Sequence, residues 1–244
     1  MQSLTSVLRN GVARFALACV VAFGVSTSVF AQSNLVNVQI SLTVDNYYAL
    51  FAVNPNTNQL TLIGADATDF FDAWKTVETY SFTAPFGSYI YVVGRDVALV
   101  AMFVSRTVFD NSVTVLTGIP NPFAEWEVNT TYRLYPPEDF LITDPNQVLN
   151  WGGGWQAPAV GRFVDQRETN SLPTFRNVDG ARFIWAPPGG GNRDAGTLDQ
   201  WGFEGDAGRG TALFRLQVVV PEPASLMALG AGLAGLIGLR RRKR

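Results

Sequence analysis

Carboxylates and tryptophans are the residues with which this chain could do chemistry, and their spacing says of what kind. Glu125 and Glu127 flank Trp126, and Glu138 is followed by Asp139. Two acids about 5–5.5 or 6.5–9.5 Å apart are all that glycoside hydrolysis requires. In a strand Glu125 and Glu127 would share a face, although both pairs read more simply as solvated loop edges. Asp66, Asp69 and Asp72 recur every third residue ahead of Trp74 and offer oxygen ligands to calcium. They lack the alternating spacing and the glycine of an EF-hand loop, so a solvated acidic loop is the simpler reading. Trp151-Gly-Gly-Gly-Trp155 sets two aromatic rings on a glycine loop, which suits the C–H faces of sugars. The competing reading is burial in the core, where tryptophan usually resides. Trp74, Asp45 and Asn46 are further candidate ligand-binding residues.

What is missing narrows the chemistry further. The chain has no histidine, and its one cysteine, Cys19, lies in an apolar stretch near the N-terminus. Ser-His-Asp and Cys-His catalysis, zinc sites built on His or Cys, haem ligation and iron–sulfur clusters are excluded. No bound cofactor is expected, calcium being the one ion that the residue types would suit. Of 18 basic residues seven lie in the two terminal segments, against one of 20 acidic residues, which leaves the body near −8. That balance argues against nucleic acid or anionic lipid as the main partner. Ten of the eleven remaining cations are Arg. Arg offers planar, bidentate contacts, although base composition alone could produce the bias.

The elements that must position these residues read as strands. Val36, Val38, Ile40, Leu42 and Val44 alternate with polar residues, the mark of a strand with one buried face. Tyr47 to Val53, a turn at Asn54-Pro-Asn-Thr-Asn58 and Leu60 to Ile63 predict a hairpin. Thr76 to Phe82, the turn Ala84-Pro-Phe-Gly87 and Ser88 to Val93 predict a second one. Gly64 to Ala73 reads as loop, Val97 to Val104 as a buried strand, Ala181 to Ala186 as strand-like and Thr211 to Val220 as the last strand. Pro187-Pro-Gly-Gly-Gly-Asn-Arg-Asp194 reads as a solvent loop, since a phosphate cradle would need a following helix. From 120 to 180 repeated prolines allow only short or edge strands. No helical period persists between the terminal segments. The fold class is all-β, a single β-sandwich or jelly roll over residues 32–219.

Both termini carry sorting information. Arg9 and Arg14 precede the apolar run Phe15 to Val25, and Val29-Phe30-Ala31 fits the small-x-small rule, placing signal cleavage between Ala31 and Gln32. At the other end Pro221-Glu222-Pro223 is followed by an uncharged run, Ala224 to Leu239, and by Arg240, Arg241, Arg242, Lys243 and Arg244. As a helix, 224–239 would extend about 24 Å, short of a hydrocarbon core of about 30 Å, with snorkelling cations covering part of the deficit. The basic end resists translocation and would stay in the cytoplasm. Triplet, short span and basic end together resemble the PEP-CTERM sorting signal of exported bacterial proteins. That resemblance implies recognition by an exosortase, cleavage near the triplet, and passage from an inner-membrane-anchored intermediate to the cell surface or extracellular matrix. An ordinary single-pass anchor is the alternative.

The run Val44-Asp-Asn-Tyr-Tyr-Ala-Leu-Phe-Ala-Val-Asn54, Trp74, the strand Gly87-Ser-Tyr-Ile-Tyr-Val-Val93, and Ala181-Arg-Phe-Ile-Trp185 with Phe214-Arg215 together resemble the pattern of galactose-binding-like jelly rolls. Pro55 in place of the usual glycine and the segment 120–180 depart from it. The resemblance bears on the fold and does not locate a ligand. The expected function is a non-enzymatic, exported protein of the cell surface or of an exopolysaccharide or biofilm matrix, with carbohydrate as a fitting ligand. Two alternatives stay open: a carboxylate-dependent polysaccharide enzyme, and a purely structural or adhesive matrix protein.

Overall fold

Alternation decides the first strand. β1 (Leu35–Asp45) buries Val36, Val38, Ile40, Leu42 and Val44 on one face. The computed structural model describes residues 35–66, 73–96, 100–131, 133–134, 142–185, 203–204 and 210–220. The signal segment, the Pro187–Asp194 loop and the tail from Pro221 lie outside them. After β1 come β2 (Tyr47–Asn54), β3 (Gln59–Asp66), β4 (Glu78–Pro85), β5 (Tyr89–Asp96), β6 (Val100–Phe109) and β7 (Val113–Leu116). The looser region holds β8 (Glu127–Asn129), β9 (Arg133–Leu134), β10 (Trp155–Gln156) and β11 (Ala159–Phe163), and the chain returns through β12 (Arg182–Trp185), β13 (Phe203–Glu204) and β14 (Gly210–Gln217). Two short helices interrupt the strands, α1 (Pro145–Leu149) and α2 (Gln166–Ser171).

Two antiparallel sheets form the sandwich. The first runs β11-β12-β6-β1-β4, with β7 and β13 also on β6; the second runs β10-β8-β14-β5-β2-β3, with β9 on β14. Their inner faces meet in an aromatic centre. Phe103 packs edge-on against Trp126 at 4.9 Å and lies 4.8 Å from Phe214, which in turn lies 5.5 Å from Trp185. Such pairs add about 0.5–1.5 kcal/mol beyond their area burial. The sheets are also tied at an edge: the Tyr48 hydroxyl on β2 donates to Glu78 Oε2 on β4, and Tyr80 donates to the same oxygen. The Tyr80 ring occupies the place where a side chain on residue 64 would start, 2.1 Å from an ideal Cβ, so a larger residue there would have to displace the ring that bonds Glu78.

The first predicted hairpin is present as β2 and β3, but the second is not. β4 pairs with β1 in one sheet, whereas β5 pairs with β2 and β14 in the other. The turn between them is a corner joining the layers. Ala84 on β4 and Ile90 and Val92 on β5 all enter the shared core, so the two strands face each other across it instead of lying side by side. A tight turn between two half-apolar strands fits either arrangement, and local sequence does not distinguish them. The predicted loop from Gly64 starts later, since β3 continues to Asp66; the buried strand predicted from Val97 is described from Val100 and runs on to Phe109. The last strand ends at Gln217, and Val218 to Val220 follow it as irregular chain, the first two buried.

Both sheets are also covered on parts of their outer faces. On the first, Met102, Val104 and Phe183 lie under Phe175 and Val178 of a 3₁₀ turn. On the second, Ala49, Phe51, Val93 and Leu213 lie under Ile142, Val148 and Trp151. Among the described residues nothing covers the rest of the second outer face.

Candidate functional site

The open part is built from outward residues of neighbouring strands. On β5, Ile90 and Val92 point into the core, so Tyr89 and Tyr91 stand on the outer face, both half-buried. Arg215 on β14 pairs in register with Tyr91 on one side and Glu127 of β8 on the other. Its Nε donates to Glu127 Oε2 at 2.7 Å. The guanidinium carbon lies 4.0 Å from the Trp155 ring centre and 4.4 Å from that of Tyr89. Tyr91 stands 6.1 Å from Trp155 and from Tyr89. Arg215 is thus a filled hinge between aromatic rings, fixed by its carboxylate and worth about 0.5–1 kcal/mol for each ring at a half-exposed site. Burial raises the Tyr91 hydroxyl above its ordinary range, against the opposing pull of Arg215, and keeps it a neutral donor.

A groove of about 700 Å³ continues from this platform. Tyr89 and Tyr91 form one wall, and Asn58, Gln59, Ser88 and Asn146 bring amide and hydroxyl groups to it. Val53, Leu60, Pro145 and Leu149 complete the lining. α1 is placed by its own cap: Asp144 accepts from the Asn146 N–H at 2.9 Å, with Pro145 at the first turn. An aromatic wall with several neutral polar groups and few charges can stack a sugar ring and hydrogen-bond its hydroxyls.

The two tryptophans of the glycine run are separated. Trp155 is half-buried on β10 and belongs to the platform. Trp151 is buried, donates Nε1–H to Thr131 O at 2.7 Å and caps the outer-face cluster. The expectation of an exposed pair on a flexible loop is corrected accordingly. Gly153 has φ +76°, and an ideal Cβ there would fall 2.3 Å from Thr131 Oγ1. The Gly154 N–H donates to Thr130 Oγ1 at 2.8 Å and the Thr130 N–H to Gly154 O at 2.9 Å. These glycines make a tied turn that sends one ring down and leaves the other up.

The remaining candidates are scattered. Trp74 packs against the outer face of the first sheet, its carbonyl accepting from Thr43 Oγ1 at 3.1 Å. Asp45 and Asn46 are buried where the chain passes from one sheet to the other, and the Asn46 N–H donates to Arg95 O at 2.8 Å. Burial pushes the Asp45 carboxyl up to about 7. Asp66 is buried at the end of β3, opposite Tyr48. Asp69, Asp72, Glu138 and Asp139 lie outside the described residues, as do Ala31, Gln32 and the tail. Glu125 is exposed and accepts from the Asn121 N–H at 3.4 Å, whereas Glu127 is engaged by Arg215. Among the described residues no three acidic side chains are grouped so as to hold a metal ion.

Arg215, Tyr89, Tyr91 and the groove amides were missed as site residues. Tyr89-Ile90-Tyr91 did carry a signal, because alternation with a core isoleucine puts both tyrosines on one outer face. Arg215 carried none, since the pairing that brings β8 and β14 together spans 88 residues.

No curated protein and no solved structure matches the chain. The body is an all-β sandwich without a matched relative. Residues 219–243 match the family described as the PEP-CTERM protein-sorting motif. That match covers the triplet, the apolar run and the basic end, and begins at Val219, still inside the core. The chain therefore carries, C-terminal to a β-sandwich body, a PEP-CTERM sorting motif, which implies exosortase processing and sorting to the cell surface.

Proposed function

We propose that this is a non-enzymatic protein of the cell surface or extracellular matrix whose sandwich binds polysaccharide on the open part of its second sheet. The observation that carries the proposal is the platform of Trp155, Tyr89 and Tyr91, locked by Arg215 and continuous with an amide-lined groove. A rigid aromatic surface loses little side-chain entropy on binding, and the neutral lining suits hydroxyls better than charged ligands. The likeness to galactose-binding-like jelly rolls belongs to this reading, as do signal cleavage after Ala31 and release of the tail near Pro221-Glu222-Pro223.

Binding is favoured over hydrolysis by the carboxylates. Among the described residues named for platform and groove, Glu127 is the one acid, and its Oε2 is engaged by Arg215. Glycoside hydrolysis needs two acids in the site. A glycan array probed with the exported chain tests the proposal. Retention of a glycan that is lost in the Tyr89→Ala/Trp155→Ala variant supports it. No retention leaves a structural or adhesive matrix protein, and retention that the variant leaves intact removes the platform as the binding surface. Turnover of a chromogenic glycan, abolished by Glu127→Gln, would make the chain an enzyme.

A further inference from the structure

Exposed apolar side chains gather at one end of the sandwich, and it is the end from which the chain leaves. β14 finishes with Gln217 opposite Tyr89. Val218 then donates its N–H to Ser88 O at 2.8 Å and accepts the Gly87 N–H at 2.9 Å. Val218 and Val219 are buried and Val220 packs on the same core. Around this exit stand Phe86, 58% exposed on the corner turn, and Leu35, 42% exposed, whose register partner is Pro85. Because Val128 and Glu127 face Phe214 and Arg215, the segment ahead of β8 runs back toward the same end and takes Phe123, 49% exposed, with it. Asn121, two residues earlier, bonds Thr114 O beside the turn of β6 and β7, which is also there. Leu149, 61% exposed, shares the groove with Asn58 and Ser88 at this end. These are four of the seven large apolar side chains exposed among the described residues, where single scattered ones would need no explanation.

Pro221, Glu222 and Pro223 alone separate Val220 from the apolar run at Ala224. Four residue steps reach at most about 14 Å. With the run in a bilayer, this end of the sandwich cannot be farther than that from the lipid. We propose that, while the tail is in place, this end lies on the membrane, with Phe86, Leu35 and Phe123 dipping into the interface around the chain exit. The inference rests on the apolar run 224–239 being embedded in the bilayer, and its test is separate from that of the polysaccharide reading, whose groove opens at the same end and is free once the tail is released. A few side chains of this size bind lipid weakly on their own. Tethering turns that weak contact into an intramolecular one at high effective concentration. The acidic body gains nothing from anionic lipid, so the contact is apolar and insensitive to salt.

The chain from Gln32 to Arg244, which has no cysteine and no signal segment to insert beside the tail, is reconstituted in phosphatidylcholine nanodiscs. Phe86→Cys, Phe123→Cys and, halfway along β3, Leu62→Cys each receive an environment-sensitive fluorophore. Docking predicts blue-shifted emission at 86 and 123, quenched by spin-labelled lipid several-fold more strongly than at 62, and unchanged in high salt. Phe86→Asp, at an exposed position that leaves the fold intact, should weaken quenching at 123. Equal quenching at all three positions overturns the proposal. A chain that does not co-purify with nanodiscs also overturns it, by removing the embedded tail, and that outcome is read separately from the fluorescence.

Discussion

Trp151 and Trp155 stand four residues apart, yet they serve two unlike parts of the same outer face. Trp151 closes a small core over Ala49, Phe51, Val93 and Leu213. Trp155 stands on Arg215, beside Tyr91 and the groove. The difference comes from the strands beneath. Ala49, Phe51, Val93 and Leu213 make a wholly apolar floor on which the Trp151 ring buries its area, whereas Trp155 sits at the edge of that cluster and lies on Arg215 beside the tyrosines. Residue type therefore says little about role here; the floor under each ring decides it.

That comparison can be tested from its largest effect to its smallest. The largest lies away from both parts, where β1 passes into β2, and tests whether they share one cooperative fold. Asp45 has its carboxyl raised from 3.8 to about 7 by burial, so the folded state holds a proton that the unfolded state releases. Its contribution is complete below pH 3.8 and is lost as pH rises through about 7, a fall of up to about 4 kcal/mol. Urea denaturation from pH 4 to 8 should show that fall, and Asp45→Asn should flatten it. Capped and open parts of the face should lose stability together; separate transitions would mean that they are not one cooperative unit.

Next comes Trp151→Ala, expected to cost about 3–4 kcal/mol by denaturant midpoint, as a buried indole is lost and Thr131 O loses its donor. Gly153→Ala follows, at about 1–3 kcal/mol, because φ is positive and Thr131 Oγ1 must move. The smallest stability effect belongs to Trp155→Ala, under about 1 kcal/mol from the lost ring contact with Arg215. Glycan retention should be lost in that variant and keep its wild-type affinity in stabilised Trp151 variants such as Trp151→Phe. The reverse pattern would break the comparison.

Much of the fold was legible because alternation is a local property. Val36 to Val44 appears as β1 with the expected face in the core, although Ser41 and Thr43 are buried on its other face as well, and Tyr47 to Val53 appears as β2, buried on both faces. The corner at Pro85–Ser88 was misread as a hairpin because partner choice is not local: β5 takes β2 and β14, not β4. The site was less legible still. Trp155 was identified, but its partners Arg215, Glu127 and Tyr89 come from three other strands.

The sequence by itself determined the destination and the class of fold. Sorting depends on contiguous features, a triplet, an apolar run and a basic end, and the strands on a two-residue period. Tertiary structure alone decided which tryptophan is core and which is surface, and what fixes the platform. It also brought four of the seven large apolar residues exposed among the described ones to the end from which the chain leaves. Each of these depends on long-range strand pairing, whose register sets the side chains above, below and beside a given ring.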